Sequence, residues 1–468
     1  MNNLRNRYLL KNTIIFTVGN FATKFISFFL VPLYTNLLTT SEYGTVDLVT
    51  TICTIAVPIF TLNVMESVMR FNLDKGVNKN KITKIGAIIL LCGAIIGLLI
   101  IPLCNMWDDI NKYSVLVYFY IISTAASQVF LCDLRGKELL VQYSVGNILN
   151  VIIISVLNLL FLLVFKWGIK GYLLAYILAN CIVTIYALIV GKGFKAIGTI
   201  IDTKIMKEML KYSVVLIPNS FMWWIMNSSD HVMVTSMIGV AANGIYAISY
   251  KFPTLITTVT GVFNQAWSYS AIKEDDAEDS ERYTNSIFFS LRGVLFIIGN
   301  CMLTVMKPFL KWYVEEEYFE AWKYTPFLIV GCVFLTMSSF MATSYTVHKD
   351  SKGFLISGTV GAMLNIVLNF ALIPMIGVFG AALATCFSYV VVFVFRVFHT
   401  RKYMAYKVID KEFIFGTSGL LINSVLIFFD GICFQISQII ITISVLLLLK
   451  NTWKPFFKIA VNKRRKSK

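Results

Sequence analysis

Five charged residues stand inside stretches otherwise built of hydrocarbon: Lys24, Lys251 and Arg292, with Asp47 and Asp230. A charged side chain at the centre of a bilayer costs at least about 2.5–3.5 kcal/mol, so residues kept there usually face a bundle interior or a water-filled cavity. Lys251 lies in "YAISYKFPTLI" (246–256), eight residues into an apolar run. That is about 12 Å deep at about 1.5 Å per residue, near the middle of a hydrocarbon core about 30 Å thick. Lys24 is similarly deep in the first run. The deepest charges are cationic, and a cationic cleft with low-dielectric walls attracts an anionic ligand.

The neighbours of these charges are polar at helical spacing. Positions spaced 4,3,4,3 share one helix face. Thr13, Thr17, Asn20, Lys24 and Ser27 follow that spacing, as do Asp47, Thr51, Thr54, Pro58 and Thr61. So do Ser220, Trp223, Asn227 and Asp230, with His231 adjacent, and Ala247, Lys251, Thr254, Thr258, Gly261, Gln265 and Ser268. Such a stripe has two readings. It is glue between packed helices, or it is the wall of a wet cavity. For a single threonine glue is the better reading; for Lys24 and Lys251 depth favours the cavity.

The candidate substrate contacts are therefore Lys251, Lys24, Arg292, Asn20, Asp47, Asp230 and Gln265. Arg292 lies nearer the end of its span, where snorkelling is an alternative. Asp47 and Asp230 either pair with a lysine or cap a helix. Glu66 and Arg70, at i and i+4, form a simple ion pair or stand at the mouth of a cavity. Pro253, two residues past Lys251, predicts a kink where a gate would bend. Trp223, Trp224, Tyr246, Tyr250 and Trp267 are placed to stack on sugars or to anchor at the membrane interface.

The elements that must hold these residues are membrane spans. The chain has 468 residues, 57% of them hydrophobic and 14% charged, with mean hydropathy +0.74. Soluble domains are about 45–50% apolar and about 25% charged, so the surplus apolar surface faces lipid. The formal net charge of +16 would suit nucleic acid, but the basic residues concentrate in short segments between apolar runs, which is a topology signal. Anionic lipid headgroups are their natural partners. Nine scattered cysteines without a Cys-x-x-Cys, and only His231, His348 and His399, offer no disulfide framework and no metal spacing. No cofactor is expected.

The pattern predicts an all-α polytopic protein with fourteen spans: 12–35, 44–66, 85–105, 113–133, 143–165, 170–190, 212–237, 243–267, 285–306, 323–345, 354–374, 377–398, 413–429 and 432–450. The basic N-terminus leads into a retained first span rather than a cleaved signal. Thirty-two basic residues fall on the side of the N-terminus and six on the other, which predicts that both termini face the cytoplasm. The acidic stretch "KEDDAEDSERY" (273–283) reads as a solvated cytoplasmic loop. "EEEYFE" (315–320) on an outer loop could supply a carboxylate pair to a membrane enzyme, but an amphipathic interfacial segment is the better reading.

The chain also looks duplicated. At an offset of 200, "KNTIIF" (11–16) meets "KYSVVL" (211–216) and "SEYG" (41–44) meets "AANG" (241–244). "VLNLLFLLVFKWGIKGYLLA" (156–175) meets "VLNFALIPMIGVFGAALA" (367–384). These matches predict two parallel six-span repeats, 1–200 and 201–411, with substrate bound between repeats, and two added spans with a basic tail over 412–468.

"VPLYTNLLTTSEYGTVDLVTT" (31–51), "MESVMRF" (65–71), "EEEYFEAWKYTPFL" (315–328) and "LNIVLNFALIPMIGVFGAALAT" (364–385) carry a resemblance that runs the whole chain. The sequence resembles the polysaccharide biosynthesis flippases, oligosaccharide-lipid exporters of the superfamily that also holds the multidrug-and-toxin extruders and the lipid II flippases. The resemblance implies two six-span bundles plus two spans around a V-shaped cationic cavity in the cytoplasmic membrane. It implies a non-enzymatic translocator of undecaprenyl-pyrophosphate-linked oligosaccharide repeat units, with polysaccharide polymerase and export machinery as possible partners. A lipid II-type or spore-envelope flippase, or a multidrug exporter of the same fold, is the alternative. An exporter of organic cations would need acidic residues at depth, where this chain has lysines.

Overall fold

The computed structural model describes residues 23–450 and 452, apart from 75, 105, 106 and 274–277. The side chains of 265, 266, 269 and 273 also lie outside the description. Asn20, with Thr13 and Thr17, therefore lies outside the described residues, as does the side chain of Gln265.

The protein is an all-α, multi-pass membrane protein. The principal helices are α1 (Val31–Leu37), α2 (Thr40–Phe60), α3 (Val64–Asn72), α4 (Lys79–Gly97), α5 (Ser114–Gly136), α6 (Leu140–Asn158), α7 (Gly168–Val190) and α8 (Thr203–Met237). They continue with α9 (Val240–Ser249), α10 (Pro253–Lys273), α11 (Ser280–Tyr313), α12 (Thr325–Val347), α13 (Ser351–Ile376), α14 (Val378–His399), α15 (Lys411–Leu426) and α16 (Ile432–Leu448). Among the described residues, nine helices are long and apolar enough to cross a membrane. They are α2, α4, α5, α6 with its π-helical extension to Val164, α7, α11, α12, α13 and α14. Residues 12–22 of the expected first span lie outside the described residues. The expected eighth span is two helices, α9 and α10, and α15 and α16 have 16 and 17 residues.

The chain forms two compact units, Met1–Trp224 with Gly239–Gly244, and Ile225–Ile238 with Ile245–Lys468. In the first, α2 starts at a capping box: Thr39 Oγ1 accepts from the Glu42 N–H, and Glu42 Oε2 accepts from the Thr39 N–H at 3.0 Å. Val64, Val68, Ile82, Ile85, Ile89, Val129 and Met209 form a dry cluster. Around it, Asp133 is buried and fully engaged, taking Asn72 Nδ2 at 2.9 Å, Thr83 Oγ1 at 2.7 Å and Lys137 Nζ at 2.6 Å. A buried carboxylate without such partners would be costly, so this knot ties α3, α4 and α5 together.

Gly44 and Gly244, aligned by the offset of 200, stand against one another in this unit. A methyl on Gly44 would lie 1.9 Å from the Val240 carbonyl oxygen, and one on Gly244 would lie 2.1 Å from that of Thr40. Only glycine permits this approach of the N-terminal turns of α2 and α9. Asn243 Nδ2 seals it, donating to the Gly44 carbonyl at 3.1 Å and to Asp47 Oδ2 at 3.2 Å.

In the second unit α12 is buried along nearly its whole length, whereas α13 buries little of its surface. Met363, Val367, Phe370 and Met375 are exposed on α13, as expected of a helix that faces lipid. Arg396 ties α12, α13 and α14 together by donating to the Ser338 carbonyl at 3.0 Å and to Ser357 Oγ at 3.1 Å.

Candidate functional site

Two spans break. Span eight stops at Ser249 and restarts at Pro253. Proline suits the first position of a helix because its missing N–H has no partner there anyway. Lys251 sits in the break, its N–H bonded to the Ile248 carbonyl at 3.0 Å, and its side chain is half-buried. Lys251 thus precedes the N-terminus of α10 by two residues, and the dipole of that helix also favours an anion there.

The stripe below Lys251 is open. Thr254 is exposed, Thr258 is half-buried, and a methyl added at Gly261 would meet nothing within 4 Å. Glue would be packed; this face is accessible. The Thr254 hydroxyl donates to the Lys251 carbonyl and the Thr258 hydroxyl to that of Thr254, at 2.8 Å each.

A buried network holds the break from the other side. Asp230 is 1% exposed. Its Oδ2 accepts from Tyr246 at 2.7 Å, Tyr250 at 2.6 Å and Thr385 at 3.0 Å. Asn365 Nδ2 donates to Thr385 Oγ1 at 3.2 Å, and Asn369 Nδ2 to Asn365 Oδ1 at 2.9 Å. The His231 ring packs on Tyr246 and Tyr250 at 5.1 and 5.2 Å. Asp230 is therefore built into a cage of hydroxyls, and Tyr250 in that cage precedes Lys251. The cage residues Thr385 and Asn365 fall in the stretch 364–385 that carries the family resemblance, but no polar stripe beside a charge singles them out.

Span two breaks at Thr61–Asn63, between α2 and α3. Pro58 lies inside α2, and Leu62 and Asn63 have left-handed backbone, φ 50° and 55°. Its stripe is mostly packed: Thr51, Pro58 and Thr61 are buried, Asp47 is half-buried, and Thr54 is exposed. Trp224 Nε1 donates to the Thr51 carbonyl at 2.9 Å.

The remaining candidates are placed as follows. Lys24 is exposed on the helical stretch 23–29. Arg292 is 1% exposed and engaged: it donates to Asp410 Oδ2 at 2.6 Å and to the Val408 carbonyl at 2.6 Å, pinning the segment before α15. It meets a loop carboxylate 118 residues on, not the water of a snorkelling arginine. Arg70 pairs with Asp74 rather than with the expected Glu66. Asp74 lies just past the end of α3, where the chain is free to turn back, while Glu66 is half-buried. All nine cysteines are free thiols. Among the described residues no group of three or more His, Cys, Asp or Glu is placed to hold a metal ion.

The profile of the family described as "Polysaccharide biosynthesis protein" matches residues 9–269, more than half of the chain and including both breaks. The chain belongs to that family. No curated protein matches it in sequence. Its fold is that of the wider flippase and multidrug-transporter superfamily. The lipid II flippase MurJ in an inward-closed conformation matches with TM-score 0.69 at 14% identity, over 96% of this chain and 100% of that one. A MATE transporter of Vibrio cholerae matches with TM-score 0.59 at 12% identity, over 85% and 97%. A superfamily transporter from Pyrococcus furiosus, whose structure is described as having a binding pocket of reverse polarity, matches with TM-score 0.57 at 13% identity, over 84% and 95%. At these identities the likeness concerns the fold of this polysaccharide biosynthesis protein.

Proposed function

We propose that the protein is a flippase of the cytoplasmic membrane, with both termini cytoplasmic, that moves undecaprenyl-pyrophosphate-linked oligosaccharide from the cytoplasmic to the outer leaflet. The observation that carries this reading is Lys251 in the break of span eight. A broken span in each half of a transporter is where substrate binds, with half-helix N-termini directed at anionic groups. Here a lysine falls in the break just before a helix N-terminus, beside an open polar stripe. The pyrophosphate sits at Lys251 and the start of α10. The glycan occupies the polar faces, and the lipid tail stays in the bilayer. Two six-span repeats rocking about the site supply alternating access, and the polymerase and export machinery receive the product outside. Arg292, engaged with Asp410, serves the framework.

The test is flipping of undecaprenyl-pyrophosphate-linked oligosaccharide by protein reconstituted in liposomes. Lys251→Ala inserts and folds but loses transport, and Lys251→Arg retains part of it. Full activity in Lys251→Ala would sink the assignment. A second reading is a lipid II-type flippase, favoured by the match over the full length of MurJ. Deleting the gene and identifying which lipid-linked glycan accumulates on the inner leaflet separates the two.

A further inference from the structure

The break in span two has a polar group that the fold leaves unsatisfied. The backbone there is in order: the Asn63 N–H donates to the Pro58 carbonyl at 2.8 Å, and the Val64 N–H to that of Thr61 at 3.0 Å. The Asn63 side chain is not. It is 2% exposed, its Nδ2 makes one long contact to Ser220 Oγ at 3.5 Å, and its Oδ1 is enclosed without a donor. The nearby hydroxyls are spent, because Thr61 donates to the Val57 carbonyl at 2.7 Å and Ser220 to that of Leu216 at 3.3 Å. A buried carbonyl oxygen without a donor is unfavourable and calls for an explanation.

We propose that the break at Thr61–Asn63 is a glycan subsite, in which Asn63 Oδ1 accepts a hydrogen bond from a sugar hydroxyl or acetamido N–H as the break opens during transport. This rests on the flippase reading above. The chemistry decides which part of the substrate is read. A carbonyl oxygen takes a donor, and an ionised pyrophosphate has none to give, whereas each sugar carries several. Asn63 lies at the end of α2 opposite to Thr40, the cytoplasmic end in the proposed orientation, where a lipid-linked glycan would enter. The break in span two is thus suited to the sugar rather than to the anion.

Asparagine at a left-handed position has a competing explanation, since it tolerates that backbone better than most residues. Asn63→Gly separates the two, because glycine adopts the same backbone without strain and removes only the acceptor. Asn63→Asp keeps both the backbone preference and an oxygen acceptor. The probes are undecaprenyl pyrophosphate and the same lipid bearing one N-acetylhexosamine, with binding measured on the full-length protein in nanodiscs. Asn63→Gly unfolds at the wild-type temperature, binds the bare lipid as wild type does, and loses roughly five- to tenfold in affinity for the sugar-bearing one; Asn63→Asp recovers part of that loss. Wild-type binding of both lipids by Asn63→Gly overturns the proposal, as does an equal loss for both. Failure of the wild-type protein to bind either lipid overturns the flippase reading itself and the subsite's ligand with it.

Discussion

The offset of 200 in the sequence sets span two against span eight, yet the two are broken in different ways. In span eight ten residues of helix (α9) precede the break and twenty-one (α10) follow it; in span two twenty-one (α2) precede it and nine (α3) follow. Span eight breaks at a proline, beside a lysine and above an open stripe. Span two breaks at two left-handed residues, with a packed stripe and a buried asparagine. Near Gly44 and Gly244 the two are alike, for each glycine is the close neighbour of the other's helix. The likeness belongs to the part that must pack backbone on backbone. The difference belongs to the parts free to specialise, one toward charge and the other toward neutral polar chemistry.

The harshest way to break the comparison is to fill the shared crossing. Gly44→Val places side-chain atoms where the Val240 carbonyl stands and is expected to cost at least about 1–3 kcal/mol by overpacking. A lowered unfolding temperature checks it, and Gly244→Val is expected to match it if the contact is reciprocal. Next is the cage behind span eight. Asp230→Asn keeps the shape but replaces a charged acceptor by a neutral one, which is expected to cost about 1–2 kcal/mol of stability. Slower transport at unchanged insertion would mark the loosened hold on Tyr250 and Lys251.

The prolines sharpen the contrast in mechanism. Pro253→Ala allows α9 and α10 to join, and transport is expected to slow roughly tenfold, a barrier change of about 1.4 kcal/mol. Pro58→Ala leaves the left-handed Leu62 and Asn63 in place, so transport is expected to persist. Equal effects of the two substitutions would refute the distinction between the breaks.

The smallest effect is a control outside both spans. Asp350 caps α13 through the Gly353 N–H at 2.8 Å and meets Lys402 Nζ at 2.9 Å and Tyr403 OH at 2.8 Å. These donors, the backbone N–H foremost, hold its carboxyl well below the usual carboxylate range. Its folded value is thus depressed, so its contribution to stability is present above the ordinary carboxylate value of about 4 and is lost as pH falls below that through the folded value. Asp350→Asn is expected to unfold slightly earlier than wild type at neutral pH, with the gap closing as the solution is acidified and transport unaffected.

Some of the site was legible because it is local. Lys251 declared itself by depth, and Pro253 two residues on announced the interruption that became the gap between α9 and α10. The offset of 200 aligned Gly44 with Gly244, but that the two glycines stand against one another is shown only by the structure. Other features depended on partners far along the chain. Asp230 finds Thr385 155 residues away, and Arg292 finds Asp410 118 residues away; nothing in the periodicity of either span names such a partner. The break at Asn63 was hidden for a related reason. Asparagine permits a left-handed backbone without requiring it, and only the packing around α2 and α3 selects it.

The sequence by itself determined that the chain lives in a membrane and that its spans carry polar faces. These follow from transfer free energies and helical periodicity, which are properties of composition and spacing. Tertiary structure alone decided which polar faces are open and which are sealed, which charges are engaged by the framework, and where the carbonyl oxygen of Asn63 is left without a donor. Those outcomes depend on which side chains meet across distant segments, and burial and hydrogen bonding acquire their values only when the segments are packed.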